Sequence, residues 1–223
     1  MRMAGSDSWR FSHDIDQSLH CLLYLRDTLG LEVDDEPGNP PRLVGDIPQR
    51  SQLLDREATT AAAAQWPSWW RAAVGNQAFT QLQSPSDQTD PRDWLRELAA
   101  RHQLVVDPPE WASLADSPAL QDAARALWDE GCEWSNSARE PYLPPWDEDV
   151  FGWEQVRVGA ERAAVEHGVT SGAVNGCALV LLVEGSWWTL PTPGASLCSI
   201  AAARDPNTIP FILEAVFDSH LAG

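Results

Sequence analysis

The chain has 223 residues, of which 33 are acidic and 15 are arginine, with no lysine, so its formal net charge at pH 7 is −18. The absence of lysine excludes Schiff-base catalysis, the phosphate-binding lysine of P-loop proteins and the strand lysine of protein kinases. The negative charge, without a cluster of arginines to offset it, disfavours binding to nucleic acids and to anionic membranes.

Four cysteines lie far apart in the sequence and form no C-x-x-C pair: Cys21, Cys132, Cys177 and Cys198. The longest apolar run, 177–183, is too short to span a membrane. The chain does not begin with a signal-peptide pattern. These features predict a cytoplasmic protein with free thiols, and we expect no cofactor.

The first third of the chain is predicted to be helical. Ser12 is expected to cap a helix that Gly30 ends, because apolar residues recur between them at helical spacing. The proline-rich segment 34–48 is predicted to be a loop. Two separate helices are expected next, over 50–64 and 65–82.

Three later helices share one start signal, a side chain that can accept a hydrogen bond followed by proline. They begin at Asp90-Pro91, Ser117-Pro118 and Asp205-Pro206. A further helix is predicted from Asp149 to His167, before Gly168.

The β signal lies near the end of the chain. Residues 174–183 and 186–190 read as two strands joined by a short turn, and 195–200 as a third. The predicted fold class is therefore α+β and predominantly helical, with six to seven helices. We expect these helices, the C-terminal one included, to cover a small antiparallel meander over about 174–200. Residues 1–223 are predicted to form a single domain, with a sub-boundary near 84–89 as the alternative.

The histidines suggest one hypothesis for a metal site. His13 and His20 are seven residues apart, so within one helix they would share a face with Asp16. Two histidines and a carboxylate are ligands that suit a divalent metal. However, the spacing matches no established zinc motif, and His20 has apolar neighbours on the expected core side. We therefore predict no metal and keep His13, Asp16 and His20 as the residues to examine for one.

No catalytic set is recognisable in the sequence. The G-x-S-x-G motif of serine hydrolases is missing. A catalytic cysteine would need a nearby base, and the negative charge of the chain opposes formation of a thiolate. We predict no catalytic residue.

Tryptophan is the residue that exceeds ordinary usage, with 12 in the chain. Trp66, Trp69 and Trp70 occupy one helical opening, which is more aromatic surface than one buried face easily accommodates. This concentration predicts that some tryptophans are exposed, either for binding or for self-association into a homo-oligomer.

Acidic residues are concentrated in 107–149, which has 11 acids against two arginines. The segment ends in a proline-broken loop with aromatic, apolar and acidic residues: Tyr142, Leu143, Trp146, Asp147, Glu148 and Asp149. Exposed aromatics beside charged residues are typical of protein-recognition surfaces. The alternative is that Tyr142 and Trp146 only anchor the loop to the body of the protein.

The sequence therefore favours a non-enzymatic interaction module whose acidic, tryptophan-rich surface binds a basic protein partner, as an inhibitor, an immunity-type protein or an adaptor would. The alternative is a domain that binds a small molecule or a metal, or an unrecognised enzyme, with a pocket lined by tryptophans.

Overall fold

Four short strands form one mixed sheet in the computed structural model, which describes residues 8–34, 36–83, 91–103, 105–142 and 150–222, apart from the side chains of residues 91, 94 and 102. The strands are β1 (Arg10–Asp14), β2 (Asn175–Leu181), β3 (Trp188–Thr192) and β4 (Ala195–Ser199). Their order in the sheet is β1-β2-β4-β3. Strand β2 is parallel to both of its neighbours, β1 and β4, whereas β3 and β4 are antiparallel.

Seven helices accompany this sheet within the described ranges, which confirms the predicted α+β, predominantly helical class. They are α1 (Gln17–Leu29), α2 (Arg56–Leu82), α3 (Pro91–Gln103), α4 (Pro118–Arg139), α5 (Trp153–Glu166), α6 (Ile200–Arg204) and α7 (Ile209–Ala222). The single-domain organisation stays a prediction, and residues 84–90 lie outside the described residues.

The sheet separates two apolar cores. Side chains of β2 alternate between them, because successive residues of a strand point to opposite faces. Cys177, Leu179 and Leu181 pack into a core formed with α1, α2 and α4. Ala178 and Val180 pack into a second core formed with α5, α6 and α7. The protein is therefore layered, with helices on both faces of the sheet.

The predicted meander is wrong in its first pairing. Strand β2 does not form a hairpin with β3, because β4 lies between them and pairs with β2 in parallel. After β2 the chain instead pairs with the proline-rich loop: Val44 N–H donates to the Leu182 carbonyl, and Glu184 N–H donates to the Arg42 carbonyl. A strand with two apolar faces needs helices on both sides, and parallel pairing is common in that environment.

The first helix begins later than predicted. Residues Arg10–Asp14 form β1, and Asp16, not Ser12, caps α1 by accepting a hydrogen bond from Leu19 N–H at 2.8 Å. The predicted end is confirmed, since Gly30 adopts the left-handed conformation (φ 64°) that favours glycine.

The two helices predicted over 50–64 and 65–82 are one helix, α2, with Pro67 inside it. Proline removes one backbone hydrogen bond from a helix interior. Three neighbouring tryptophans offset that loss, since the side chains of Trp66, Trp69 and Trp70 are all buried. Burying an aromatic side chain contributes about 1.5 to 3 kcal/mol.

Gly176 at the start of β2 lies against α7 with no room for a side chain. A Cβ atom there would lie 2.5 Å from Val216 Cγ1 and 3.1 Å from Phe217 Cε1. Gly75, on an exposed part of α2, has no heavy atom within 4 Å of the same position.

We expect Gly176→Ala to lower the free energy of unfolding by about 1 to 3 kcal/mol, because it overpacks the β2–α7 contact. Gly75→Ala is the matched control and should raise it by about 0.5 to 1 kcal/mol, because alanine is the better helix former. Urea unfolding measures both changes. Equal effects of the two substitutions would contradict the close β2–α7 packing.

Candidate functional site

The structure separates His13 from His20. His13 lies on strand β1, with its ring centroid 6.1 Å from that of Phe151, whereas His20 lies in helix α1. The shared helical face on which the metal hypothesis rested therefore does not exist. Asp16, which was to complete the ligand set, caps α1 and also accepts a hydrogen bond from Gln77 Nε2 at 3.0 Å.

Both ring nitrogens of His20 have partners inside the protein. Its Nδ1 lies 2.6 Å from the Asp16 carbonyl oxygen, and its Nε2 accepts a hydrogen bond from Leu182 N–H at 2.9 Å. The imidazole is fully buried, and this burial lowers its pKa to about 4. The neutral form satisfies both contacts, with the proton on Nδ1. His20 therefore connects α1 to the carboxyl end of β2.

Other groups of possible metal ligands can be examined only in the part of the chain that the structure describes. There, no group of three or more histidine, cysteine, aspartate or glutamate side chains is arranged to hold a metal ion.

Three of the four cysteine thiols, those of Cys21, Cys177 and Cys198, are poor nucleophiles in this fold. Burial raises the pKa of Cys177 and of Cys198 to about 12, and burial beside Cys132 also raises the pKa of Cys21. A thiol with a raised pKa stays protonated at neutral pH, and the thiolate is the reactive form.

Most of the described tryptophan side chains are buried or half-buried. Of the ten whose side chains are described, only Trp153 is exposed. The indole N–H groups of Trp66, Trp69 and Trp70 donate to the carbonyls of Leu22, Val105 and Gly38, which belong to three different segments. The expectation that this cluster exceeds one buried face is wrong, because all three rings are buried in the first core.

The predicted partner-binding loop is described only at its first residue. Tyr142 is half-buried and packs against the second core. The centroid of its ring lies 5.5 Å from the guanidinium carbon of Arg204. Leu143, Trp146, Asp147, Glu148 and Asp149 lie outside the described residues. Their role in partner binding stays a prediction.

A second surface was missed at the sequence level. Val158 and Val165 are seven residues apart on α5, so they share its outer face, opposite the buried residues of the same helix. Phe211 lies on the outer face of α7. Their side chains are 51, 81 and 65% exposed. The seven-residue spacing of the two valines was the available signal.

The two outer faces adjoin each other. Gly159 allows α5 to approach α7, since a Cβ built there would lie 3.3 Å from Leu213 Cβ. Arg162 Nη2 pairs with Glu214 Oε2 at 2.6 Å across the two helices. We define the α5/α7 surface as these two outer faces, represented by Val158, Arg162, Val165, Phe211 and Glu214.

The α5/α7 surface is acidic. The two helices contain five carboxylates and two arginines, a net charge of −3. Arg157 donates hydrogen bonds to both Glu154 and Glu161, which raises its pKa, and its contact with Glu154 lowers the pKa of that carboxyl. Arg162 lies between Glu166 and Glu214. Each positive charge is therefore neutralised locally, and the surplus that remains is negative.

Comparisons with known proteins add no functional information. The chain matches no protein-family model, and neither a curated protein nor a solved structure is significantly similar to it. Within the described ranges, each helix is too short or too polar to cross a lipid bilayer.

The environment of His20 predicts a pH dependence. Its pKa is about 4 in the folded protein and about 6.5 when unfolded, so the unfolded state binds the proton more tightly. The stability that neutral His20 provides is complete above pH 6.5 and is lost as the pH falls towards 4.

We expect acidification from about pH 7.5 to 4.5 to lower the free energy of unfolding by about 2 to 3 kcal/mol more in the wild type than in His20→Gln. Urea unfolding at each pH measures the difference. The same slope in His20→Gln as in the wild type would show that His20 does not titrate in this way.

Proposed function

We propose that this protein is a non-enzymatic interaction module that binds a basic protein partner through its α5/α7 surface and through segment 142–149, which precedes α5 in the sequence. The observation that supports this most strongly is the combination, on one helical layer, of exposed apolar side chains with surplus carboxylates.

The apolar residues supply affinity in this proposal. Val158, Val165 and Phe211 are each more than half exposed on the outer layer of the protein. Fully burying such a side chain contributes about 1.5 to 3 kcal/mol. Aromatic residues are also enriched among those that dominate binding energy at protein interfaces. Because these side chains are already partly buried, a partner that covers all three would gain about 3 to 6 kcal/mol from them.

The carboxylates supply orientation and rate. A negative surface attracts a positive partner over distances of about 10 Å at ordinary salt concentration, which speeds association and favours one orientation. Because Arg157 and Arg162 are already paired with carboxylates of this chain, they offer little opposition to that attraction.

The predicted loop continues the same chemistry along the sequence. Asp147, Glu148 and Asp149 precede the buried residues Val150 and Phe151, after which α5 begins at Trp153. Trp153 is 54% exposed, and its ring centroid lies 4.6 Å from that of Trp9. We therefore group the acidic segment with the α5/α7 surface as one binding region.

The alternative of a ligand pocket lined by tryptophans has less support. The tryptophans of α2 use their N–H groups on backbone carbonyls and are buried in the first core, so they are packed within the protein itself. A hollow on the outside of α2 is lined by Arg56, Glu57 and small residues, with no aromatic group.

Affinity capture tests the proposal. The biotinylated full chain is compared with Val165→Ser/Phe211→Ser, which removes two apolar side chains without changing the charge. We expect this variant to capture about one tenth, or less, of the amount of basic protein that the wild type captures. Raising the salt concentration from about 50 to about 500 mM should weaken capture by the wild type.

The matched control is Leu53→Ser/Leu95→Ser, which changes two other apolar residues of similar exposure (46 and 57%). It should capture the same proteins as the wild type, and circular dichroism should show that both variants fold. If both variants capture the same proteins equally well, the α5/α7 surface is not the binding site.

A further inference from the structure

Two cysteines face each other across the contact between α1 and α4. Cys21 Sγ lies 3.3 Å from Cys132 Sγ, although 111 positions separate the two residues in the sequence. A disulfide bond is about 2.05 Å long, so the sulfur atoms need to approach by only about 1.3 Å.

The helix backbones are already close at this point. Gly131 precedes Cys132, and a Cβ built on it would lie 3.5 Å from Cys21 Cα and 3.3 Å from Tyr24 Cδ1. Side chains on either side hold the two helices in register. Gln17 Nε2 donates to the Cys132 carbonyl at 3.4 Å, and Tyr24 Oη donates to Glu130 Oε1 at 2.7 Å.

The two thiols differ in access to solvent. Cys21 is completely buried, whereas Cys132 is partly exposed on α4. The remaining cysteines have no such arrangement: Cys177 and Cys198 are buried in the cores on opposite faces of the sheet.

We propose that Cys21 and Cys132 form a modification site, at which a small-molecule disulfide such as oxidised glutathione converts the two thiols of the folded chain into an intramolecular disulfide. The thiolate of Cys132, the accessible residue, attacks the reagent and forms a mixed disulfide, which releases one reagent thiol. The sulfur of Cys21 then attacks Cys132 Sγ and releases the second.

The exchange is balanced. The protein loses two electrons and two protons, and the reagent disulfide is reduced to two thiols. The second step needs no diffusion, because Cys21 is already in contact with its target. Burial raises the pKa of Cys21, which agrees with its role as the second and not the first thiol to react.

The product would connect α1 covalently to α4. A bond that closes a loop of this length restricts the unfolded chain strongly, so the oxidised protein should be more stable than the reduced protein. The inference does not depend on the proposed partner-binding function, because its residues belong to the other helical layer.

Peptide mapping tests the proposal, because the absence of lysine leaves few tryptic peptides that contain cysteine. Trypsin cleaves the chain only after arginine, so Cys21 falls on peptide 11–26, Cys132 on 126–139, and Cys177 and Cys198 together on 163–204. The full-length protein is treated with oxidised glutathione under native conditions, remaining thiols are alkylated, and peptides are identified by mass spectrometry. We expect peptides 11–26 and 126–139 to be linked and 163–204 to be alkylated at both cysteines.

Two variants serve as controls. Cys132→Ala should not form the link, and its three remaining cysteines should not react with oxidised glutathione. Cys177→Ala/Cys198→Ala should form the link as the wild type does. Oxidation should raise the Tm of the wild type by about 5 to 10 °C and leave that of Cys132→Ala unchanged.

Three results would overturn the proposal. The first is a stable mixed disulfide at Cys132 without the link, and the second is a link that forms only in urea. The third is a Tm that falls on oxidation, because it would mean that the native fold does not accommodate the bond.

Discussion

Strand β2 has apolar side chains on both of its faces and a strand on both of its edges, so the rest of the structure must enclose it. Helices α1, α2 and α4 bury one face, and α5, α6 and α7 bury the other. Backbone groups beyond the carboxyl end of β2 also need partners. His20 of α1 accepts a hydrogen bond from Leu182 N–H, and segment 42–44 pairs with residues 182–184. The outer faces of the helices are then the surface left for function, and on α5 and α7 this surface combines apolar side chains with carboxylates.

Local signals in the sequence predicted the elements better than the way in which they assemble. Two helix ends that depend on one residue, at Gly30 and Pro118, are where the sequence puts them, whereas Ser12 caps no helix and α7 begins at Ile209 and not after Asp205. Strand β1 was missed because its five residues pair with β2, which follows it by more than 160 positions, and no local pattern reports such a partner. The meander was predicted from sequence neighbours, whereas two-sided burial favours a parallel neighbour for β2.

The candidate site shows the same limit. Burial of His20 could be predicted from its apolar neighbours, but its bond to Leu182 N–H depends on a segment 162 positions away. Tryptophan content suggested a binding surface, yet Trp66 and Trp70 stack in the core, with ring centroids 5.3 Å apart. The tryptophan side chain combines a large aromatic ring with an N–H donor, so it suits a core that joins several segments as well as it suits an interface. The apolar residues of the proposed α5/α7 surface are ordinary ones, two valines and a phenylalanine, and only the fold brings them to one side of the protein.

Hydrogen–deuterium exchange on the protein, alone and in complex with the basic partner that it captures most strongly, tests the central claim most directly. Our account predicts that protection on binding falls on peptides covering 142–149, α5 and the exposed face of α7. Peptides of α1, α2 and α4 should exchange as in the free protein. Protection centred on α1 and α4, with α5 and α7 unchanged, would contradict the account and move the binding site to the opposite helical layer.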